Sequence, residues 1–232
     1  MVKILDCTVR DSGHQNNWNF DDSFVLGLIE KLKYDGIDYC EIGYRNNKDK
    51  ENKGKFYFCD KKLLKKFICN KGNLKIGVMA DYKRLNLNDF KSANQDLTDF
   101  VRIACHPENI KESIEICEIL RKRDYKIFLQ LMEIQNVKDE HYEILKKLKN
   151  KNILESIYIA DSYSCVIPQN ISLYFEKLKN AGFEKISFHA HNASGLALEN
   201  TLNAIKCGAY SVDISQNGLG GNLNWNDYKN CL

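Results

Sequence analysis

Residues 185–215 read KISFHAHNASGLALENTLNAIKCGAYSVDIS and predict one strand–helix–strand unit. The runs KISFHAH (185–191) and YSVDIS (210–215) are short and largely apolar, which is typical of buried strands. Between them, LALENTLNAIKCGA (196–209) has apolar residues at spacings of three and four, the pattern of a helix packed on one face. Gly208 ends this helix just before the next strand, as a left-handed C-terminal cap requires. Two strands joined by such a helix are expected to be parallel.

The same unit recurs along the chain. Six further runs predict strands: VKILDCT (2–8), IDYCEIG (37–43), LKIGVMA (74–80), DFVRIA (99–104), KIFLQLM (126–132) and SIYIAD (156–161). Amphipathic runs lie between them, so that strand and helix are predicted to alternate eight times. Gly36 and Gly182 close helices before the next strand, and Pro107 and Pro168 stand where helices would begin after strands four and six.

Eight such repeats in 232 residues predict a single (β/α)8 barrel domain over residues 1–232, since this fold usually takes about 250 residues. A doubly wound open sheet is the alternative fold. It is disfavoured because no G-x-G-x-x-G turn follows the first strand, and because polar residues follow many strands rather than one switch point. Only a short segment, GLGGNLNWNDYKNCL (218–232), remains after strand eight. We therefore expect a shortened final helix, a truncated chain, or a partner subunit or second copy that covers that side.

The composition excludes several classes of function. With 44% hydrophobic and 28% charged residues the chain can bury a core, and a net charge of +3 is too small to attract nucleic acids or acidic membranes. The sequence has no run of about 20 apolar residues and no secretory signal pattern, so we expect a cytoplasmic protein with no membrane partner. Nine cysteines without a C-x-x-C motif fit reduced thiols in that compartment.

Polar residues follow most of the predicted strands. In a parallel barrel the catalytic groups lie at the carboxyl ends of the strands. In strand order, the polar residues at these ends are Thr8, Arg10, Asp11 and His14; Glu41, Tyr44 and Arg45; Arg102 and His106; Gln130 and Glu133; Asp161 and Ser162; His189, His191 and Asn192; and Asp213, Ser215, Gln216 and Asn217. Buried strands have little reason to carry so many ionisable groups unless the barrel mouth uses them, which predicts a functional site there.

The pair His189 and His191 ends an otherwise apolar strand. Residues two apart on a strand point to the same face, so both imidazoles can converge inside the mouth. Two imidazoles and one carboxylate make a common divalent-metal site with open positions for substrate. Asp11 is a reasonable third ligand because strand one neighbours strand eight in a closed barrel. The alternative is that both histidines only cap the strand; the Arg10–Asp11 pair favours the metal.

These segments resemble a known group of enzymes. LDCTVRDSGHQNNW (5–18) is similar to the opening Thr-x-Arg-Asp-Gly signature of the metal-dependent lyase and aldolase barrels. That group includes hydroxymethylglutaryl-CoA lyase, isopropylmalate and homocitrate synthases, and 4-hydroxy-2-oxovalerate aldolase. SFHAHNASGLALENTLNAIKCGA (187–209) resembles the group's His-Ala-His-Asn stretch, and DISQNGLGGN (213–222) resembles its final strand and glycine-rich turn. The resemblance covers residues 4–222.

Two further segments resemble one branch of the group. VRDSGH (9–14) and VRIACH (101–106) are similar to the oxovalerate aldolases, whereas EIGYRNNKDKENKGKFYFCD (41–60) resembles aldolase-type proteins of bacterial surface-polysaccharide gene clusters. This favours aldol chemistry over Claisen condensation.

The resemblance implies a divalent-metal cofactor and its ligands, which would be Asp11, His189, His191 and Asn222. Mn²⁺ or Mg²⁺ is expected first, and Zn²⁺ or Co²⁺ would also fit a mixed nitrogen and oxygen set. Arg10 would stabilise the enolate oxygen and His14 would be the catalytic base, although His14 has the alternative of an exposed loop residue. Substrate-binding residues are expected to be Glu41, Gln130 and Asp161, with Glu41 and Asp161 orienting Arg10 or the ligands.

The predicted function is that of a divalent-metal-dependent aldolase, like 4-hydroxy-2-oxovalerate aldolase. It would cleave or form a carbon–carbon bond of a small-molecule 4-hydroxy-2-oxo acid through a metal-stabilised, pyruvate-type enolate. One alternative is a Claisen-type acyl-CoA synthase or lyase of the same group. The absence of a cysteine-rich glycine loop and of an appended CoA-binding region argues against it. A second alternative is a barrel that has lost turnover and acts as a binding or scaffold protein, which Arg-Asp-Ser-Gly in place of Arg-Asp-Gly keeps open.

Overall fold

The computed structural model describes residues 2–49, 51–69 and 71–231. Eight parallel strands form a closed barrel in which each strand pairs with its neighbours in sequence and the last pairs with the first. The strands are β1 (Lys3–Asp6), β2 (Tyr39–Tyr44), β3 (Lys75–Asp81), β4 (Phe100–Cys105), β5 (Lys126–Leu131), β6 (Ser156–Asp161), β7 (Ile186–Ala190) and β8 (Ser211–Ile214). The predicted (β/α)8 barrel is confirmed, and the open sheet is excluded because the ring of strands closes.

Helices surround the barrel. They are α1 (Thr8–Asn16), α2 (Asp22–Tyr34), α3 (Lys61–Ile68), α4 (Ile110–Arg121), α5 (Asp139–Lys146), α6 (Ile171–Asn180), α7 (Ala197–Lys206) and α8 (Trp225–Lys229). Short 3-10 turns that begin at Pro107 and Pro168 lead into α4 and α6, as predicted. The helix after β8 has five residues and is therefore short, also as predicted. Among the described residues, no helix is both long and apolar enough to cross a membrane.

The predicted eightfold alternation is wrong at one crossover. Residues 82–99, between β3 and β4, form no α-helix and contain only the 3-10 turns Leu87–Asp89 and Ala93–Gln95. This segment is rich in Asn, Asp and Ser, whose side chains bond to the nearby backbone and compete with helix formation. Asn86, for example, accepts a hydrogen bond from the backbone of Asn88 at 3.0 Å. Local polar contacts therefore replace the expected helix.

The expected strand end and loop after β1 is instead the helix α1. The carboxylate of Asp6 accepts hydrogen bonds from the backbone N–H of Thr8 at 3.0 Å and from its hydroxyl at 2.8 Å. These bonds turn the chain into a helix directly after the strand. Arg10, Asp11 and His14 consequently lie on a helix above the barrel rather than on a loop.

An aromatic layer fills the barrel beneath the mouth. The buried cluster consists of Leu5, Cys7, Tyr39, Phe100, Phe128 and Tyr158. The Phe100 and Phe128 rings meet edge to face with centroids 5.2 Å apart. A Cβ atom at Gly77 would lie 2.4 Å from the Phe100 ring, so glycine on β3 makes room for this packing. The layer forms the floor on which the polar residues of the mouth rest.

Candidate metal and catalytic centre

Asp11, His189 and His191 meet at the mouth of the barrel. A carboxylate oxygen of Asp11 and one nitrogen from each imidazole lie within 4.8 Å of one another. The Nε2 atom of His189 is 3.5 Å from the Asp11 Oδ2 atom, and the two imidazole rings are perpendicular with centroids 4.8 Å apart. We call these three residues the metal cluster. The structure thus brings Asp11 together with two histidines that lie 178 and 180 positions further along the chain.

The second nitrogen of each imidazole is held by an acceptor. His189 Nδ1 lies 2.8 Å from Asp213 Oδ2, and His191 Nδ1 lies 3.1 Å from the backbone oxygen of Asp161. Both acceptors favour a proton on Nδ1, which leaves the Nε2 lone pair free. Burial lowers the pKa of both histidines, and the nearby positive charge of Arg10 lowers each pKa further. Both rings are therefore neutral at neutral pH, the form that binds a metal ion.

The turn after β8 closes over the metal cluster. The Asn222 amide donates to Asp11 Oδ2 at 2.6 Å, and the backbone N–H of Asn192 donates to the Gly221 oxygen at 2.7 Å. Gly220 has φ +80°, and a Cβ atom there would lie 2.6 Å from the Asp11 Cβ atom. Only glycine permits both this left-handed conformation and this approach. The glycine-rich turn therefore packs directly against α1, the helix that carries Asp11.

The donor set fits a divalent cation. His189 Nε2 and Asn222 Oδ1 are buried and have no hydrogen-bond partner among the described residues. Buried polar atoms without a partner are uncommon and unfavourable, and a cation beside Asp11 would satisfy both. A mixed set of imidazole, carboxylate and amide ligands suits Mn²⁺, Mg²⁺, Zn²⁺ or Co²⁺ and does not select among them.

A second group of possible ligands, Cys7, His189 and Asp213, fits a cation poorly. Burial raises the pKa of the Cys7 thiol well above its usual range, so the thiolate that a metal requires is disfavoured. The thiol donates to the backbone oxygen of Ile214, and the Asp213 carboxylate is already paired with Arg102. Of the two groups, the one that contains Asp11 therefore fits a cation better.

Four buried charged residues form a network of ion pairs next to the metal cluster. We call Arg10, Glu41, Arg102 and Asp213 the arginine network. Glu41 accepts from Arg10 Nε at 2.6 Å and from Arg102 Nε at 2.7 Å. Arg102 Nη1 donates to Asp213 Oδ2 at 2.6 Å, and this same oxygen faces His189. The network fixes Arg10 while leaving its Nη2 group buried and without a partner. That N–H group remains available to an oxygen of a ligand.

Arg10 also pairs with Asp11 in the metal cluster. Arg102 and Asp213 were predicted only as polar residues near the mouth and were given no specific role, although both lie within predicted strands. The signal that could have found them is a charged residue at an inward position of an otherwise apolar, buried strand.

His14 is an exposed residue of α1, with its imidazole centroid 4.6 Å from that of Trp18 and 6.1 Å from that of Tyr44. Partial burial and the positive charge of Arg10 lower the pKa of His14 to about 4. Arg10 and His14 are four residues apart on α1 and therefore share one face of this helix. The ring is neutral at neutral pH and can accept a proton.

The three predicted substrate-binding residues are placed differently from one another. Glu41 orients Arg10 through the arginine network. Gln130 is buried, with its Oε1 atom lacking a partner among the described residues. The Asp161 carboxylate accepts from the backbone N–H groups of Cys165 at 2.8 Å and Val166 at 3.2 Å, so it braces the loop after β6. Only its backbone oxygen contacts the metal cluster, through His191.

Comparison with known proteins identifies the class to which this barrel and site correspond. The family model described as HMGL-like matches residues 1–224, and the chain belongs to this family. The chain is 28% identical over 221 residues to a 4-hydroxy-2-oxovalerate aldolase of Carboxydothermus hydrogenoformans, covering 94% of this chain and 66% of that protein. It is 24% identical over 220 residues to an oxaloacetate decarboxylase of Mycobacterium tuberculosis, covering 94% and 65%. The chain thus spans less than two thirds of the length of these relatives.

Solved structures show the same fold. The N-terminal domain of a candidate aldolase from Bacteroides vulgatus superposes with a TM-score of 0.88 at 29% identity, covering all of this chain and 79% of that one. An HMG-CoA lyase from Brucella melitensis has a TM-score of 0.81 at 13% identity, covering all of this chain and 89% of that one. At 13% identity the second likeness concerns the fold alone.

Proposed function

We propose that this protein is a divalent-metal-dependent aldolase that cleaves or forms a carbon–carbon bond of a 4-hydroxy-2-oxo acid. The observation that carries the proposal is the convergence of Asp11, His189 and His191 at the barrel mouth, beside an arginine with a free N–H group. Sequence similarity to 4-hydroxy-2-oxovalerate aldolases supports the same chemistry.

Asp11, His189, His191 and Asn222 would hold the ion, which we propose to be Mn²⁺ or Mg²⁺. When bound there, a divalent ion supplies positive charge for the carboxylate and keto oxygens of a 2-oxo acid. The protein would supply neutral imidazoles, because the Asp213 carboxylate and the Asp161 backbone oxygen hold the proton on Nδ1 of His189 and His191.

Arg10 stabilises the charge that develops during cleavage. When the bond between C3 and C4 breaks, its electron pair stays on the pyruvate half as an enolate, with the negative charge on the C2 oxygen. The Nη2 group of Arg10 is buried, unpaired and fixed by Glu41, so it can donate to that oxygen without reorganising.

His14 moves the proton. The 4-hydroxyl group must lose its proton as its oxygen becomes the aldehyde oxygen, and a neutral imidazole can accept that proton. Protonation of the enolate at C3 then gives pyruvate. In the condensing direction, His14 returns the proton to the new 4-hydroxyl group.

The test is release of pyruvate from 4-hydroxy-2-oxo acids, followed with a coupled lactate dehydrogenase assay. We expect activity with Mn²⁺ or Mg²⁺, and a loss of at least about 100-fold after chelation or in His189→Ala. The ion contributes several kcal/mol, and each 1.4 kcal/mol is worth a factor of ten. His14→Gln should lower kcat by about 100-fold or more with metal content unchanged.

Restoring activity to the chelated wild-type protein by adding back the metal is the control. Full activity in metal-stripped protein or in His189→Ala contradicts the proposal. Consumption of acetyl-CoA with 2-oxo acids, in place of pyruvate release, would indicate the Claisen alternative. A chain that neither binds the ion nor turns over substrate would be a scaffold.

A further inference from the structure

A cleft of about 550 Å³ adjoins the metal cluster, between the loops that follow β6, β7 and β8. His191 and Asn222 belong both to its lining and to the predicted ligand set, so the cleft borders the metal cluster. We call it the side cleft and define it by six polar side chains: Ser162, Ser164, Asn192, Asn217, Asn224 and Asp227.

The lining of the side cleft combines polar groups with some apolar surface and includes no Lys or Arg side chain among the described residues. Besides these six residues and the predicted ligands His191 and Asn222, the lining contains Tyr163, Ala193 and two glycines. Nor do the described lining residues include an aliphatic side chain larger than alanine. The apolar part of the lining comes from the Tyr163 ring, Ala193 and the carbon atoms of polar side chains, so it offers no aliphatic pocket to a hydrocarbon chain. A phosphate group would find no cation and would meet the carboxylate of Asp227, which is exposed on α8.

The two serines of the side cleft are held in place by the backbone. Ser162 Oγ accepts from the backbone N–H of Glu133 at 2.9 Å, and Ser164 Oγ accepts from that of Ala193 at 2.9 Å. Each hydroxyl group keeps its own proton as a donor. Asn192 Oδ1 accepts from the backbone of Ala197 at 3.1 Å, which fixes the amide and leaves its NH₂ group to donate. These groups are prearranged to bind hydroxyl oxygens.

The backbone of the side cleft is also unusual. Ser164 has φ +54° and Asn217 has φ +55°, the left-handed region that favours glycine. Asparagine adopts this conformation more readily than most residues, whereas serine has no such advantage. Residues held in such conformations concentrate at sites that bind ligands. The strain at Ser164 indicates that its position is imposed by the surrounding loops.

We propose that the side cleft binds the aldehyde half of the substrate, and that this half is a neutral, polyhydroxylated aldehyde of the sugar type. The inference rests on the proposed aldol function. The pyruvate half occupies the metal cluster, so the group carried on C4 must extend into a neighbouring space. In the condensing direction, C3 of the enolate bonds to the aldehyde carbon, and the aldehyde oxygen takes up a proton to become the 4-hydroxyl group.

The experiment compares three aldehydes of equal carbon number: propanal, D-glyceraldehyde and D-glyceraldehyde 3-phosphate. The metal-loaded protein is incubated with pyruvate and each aldehyde, and kcat/KM for product formation is measured by NMR. We expect glyceraldehyde to exceed both others by at least about tenfold, since a site built to bond hydroxyl groups discriminates against analogues that lack them. Equal or better use of propanal or of the phosphorylated aldehyde overturns the inference.

Exchange of the pyruvate methyl protons in D₂O separates this inference from the proposed function, because exchange requires the enolate but no aldehyde. Metal-dependent exchange together with a preference for propanal overturns the side-cleft assignment alone. If neither exchange nor cleavage of any 4-hydroxy-2-oxo acid occurs, the proposed function itself fails.

Two variants address the side cleft directly. Asp227→Lys places a cation in the cleft and should raise the kcat/KM ratio of the phosphorylated over the neutral aldehyde by about tenfold, a gain that misfolding cannot produce. Ser164→Ala should lower the ratio of glyceraldehyde over propanal, chiefly through KM for glyceraldehyde. Ser194→Ala, an exposed serine outside the lining, is the matched control and should leave both ratios unchanged. Unchanged ratios in both cleft variants overturn the assignment.

Discussion

Asp213 connects a predicted metal ligand to the charged interior of the barrel. One of its carboxylate oxygens faces both His189 Nδ1 and the Arg102 guanidinium. A carboxylate on the second nitrogen of a ligating histidine fixes its tautomer and raises its basicity. Burial raises the pKa of Asp213, and the positive charge of Arg102 opposes that rise. Asp213 would therefore influence a bound ion through His189 without being one of its ligands.

Asp213→Asn should weaken metal affinity by about 10–100-fold, the usual effect of removing such a partner. The measurement is calorimetric titration of the metal-stripped protein, at a temperature where circular dichroism shows it to be folded. Asp96→Asn is the matched control, because Asp96 is also a buried carboxylate paired with an arginine, Arg45, but lies in the crossover between β3 and β4. Equal affinity in the two variants contradicts the role given to Asp213.

The sequence predicts the residues of the metal cluster more readily than those of the arginine network that holds them. His189 and His191 are found by their spacing on a strand, and Asp11 by its place after β1 in a closed ring. Arg102 and Asp213 are 111 positions apart, and their contact depends on the side-chain packing of two non-adjacent strands. No local pattern encodes that contact, so only the folded barrel shows which charges meet.

The turn after β8 is the element that places Asp11 against the histidines. It covers residues Gln216–Gly221, and Gly220 lies against the start of α1. Both Gly220 and Gly221 have left-handed φ values, +80° and +79°, but a Cβ atom would clash only at Gly220. Substitutions at the two neighbouring glycines can therefore distinguish the cost of backbone strain, which both share, from the cost of a steric clash, which only Gly220 has.

Gly220→Ala should destabilise the fold by about 2–5 kcal/mol, as the sum of left-handed strain and overpacking, and should lower metal affinity by displacing Asp11. Gly221→Ala should lose only about 1–2 kcal/mol, because nothing lies within 4 Å of its added Cβ. Urea unfolding of both variants measures the loss of unfolding free energy, and metal titration measures the loss of affinity. If Gly221→Ala loses as much stability and affinity as Gly220→Ala, the contact with Asp11 is not the reason for the glycine.

At the scale of elements, the sequence predicts strands better than connections. All eight apolar runs became strands because each is buried between the aromatic layer and the surrounding helices. The crossover at residues 82–99 and the helix α1 were mispredicted, since both depend on polar side chains that bond to nearby backbone. Asn86 and Asp6 make such contacts, and apolar periodicity does not report them.

The whole barrel is closed by the pairing of β1 with β8, and the metal cluster spans that join. An ion bound to Asp11, His189 and His191 would link the two ends of the fold. A ligand that binds only the folded state stabilises it by about 2.7 kcal/mol at a concentration 100 times its Kd. The ion should therefore act on global stability as well as on catalysis.

Saturating Mn²⁺ should raise the Tm of the metal-stripped protein by roughly 5–11 °C, since a barrel of this size gains about 2–4 °C per kcal/mol. Differential scanning fluorimetry over a range of metal concentrations measures the shift. His189→Ala should show almost no shift. A shift of the same size in that variant would place the ion elsewhere.

Because Asp11 belongs to the first strand–helix step and His189 to the seventh strand, the centre cannot form until the seventh strand has been synthesised. At about 5–20 residues per second, the ribosome needs roughly 10–40 s to pass from residue 11 to residue 189. Throughout that interval Asp11 has been synthesised but the two histidines have not, and the edge of β1 that pairs with β8 stays unpaired. A newly made chain can therefore complete this centre only once β7 and β8 have been synthesised, and until then the unpaired edge of β1 is open to aggregation.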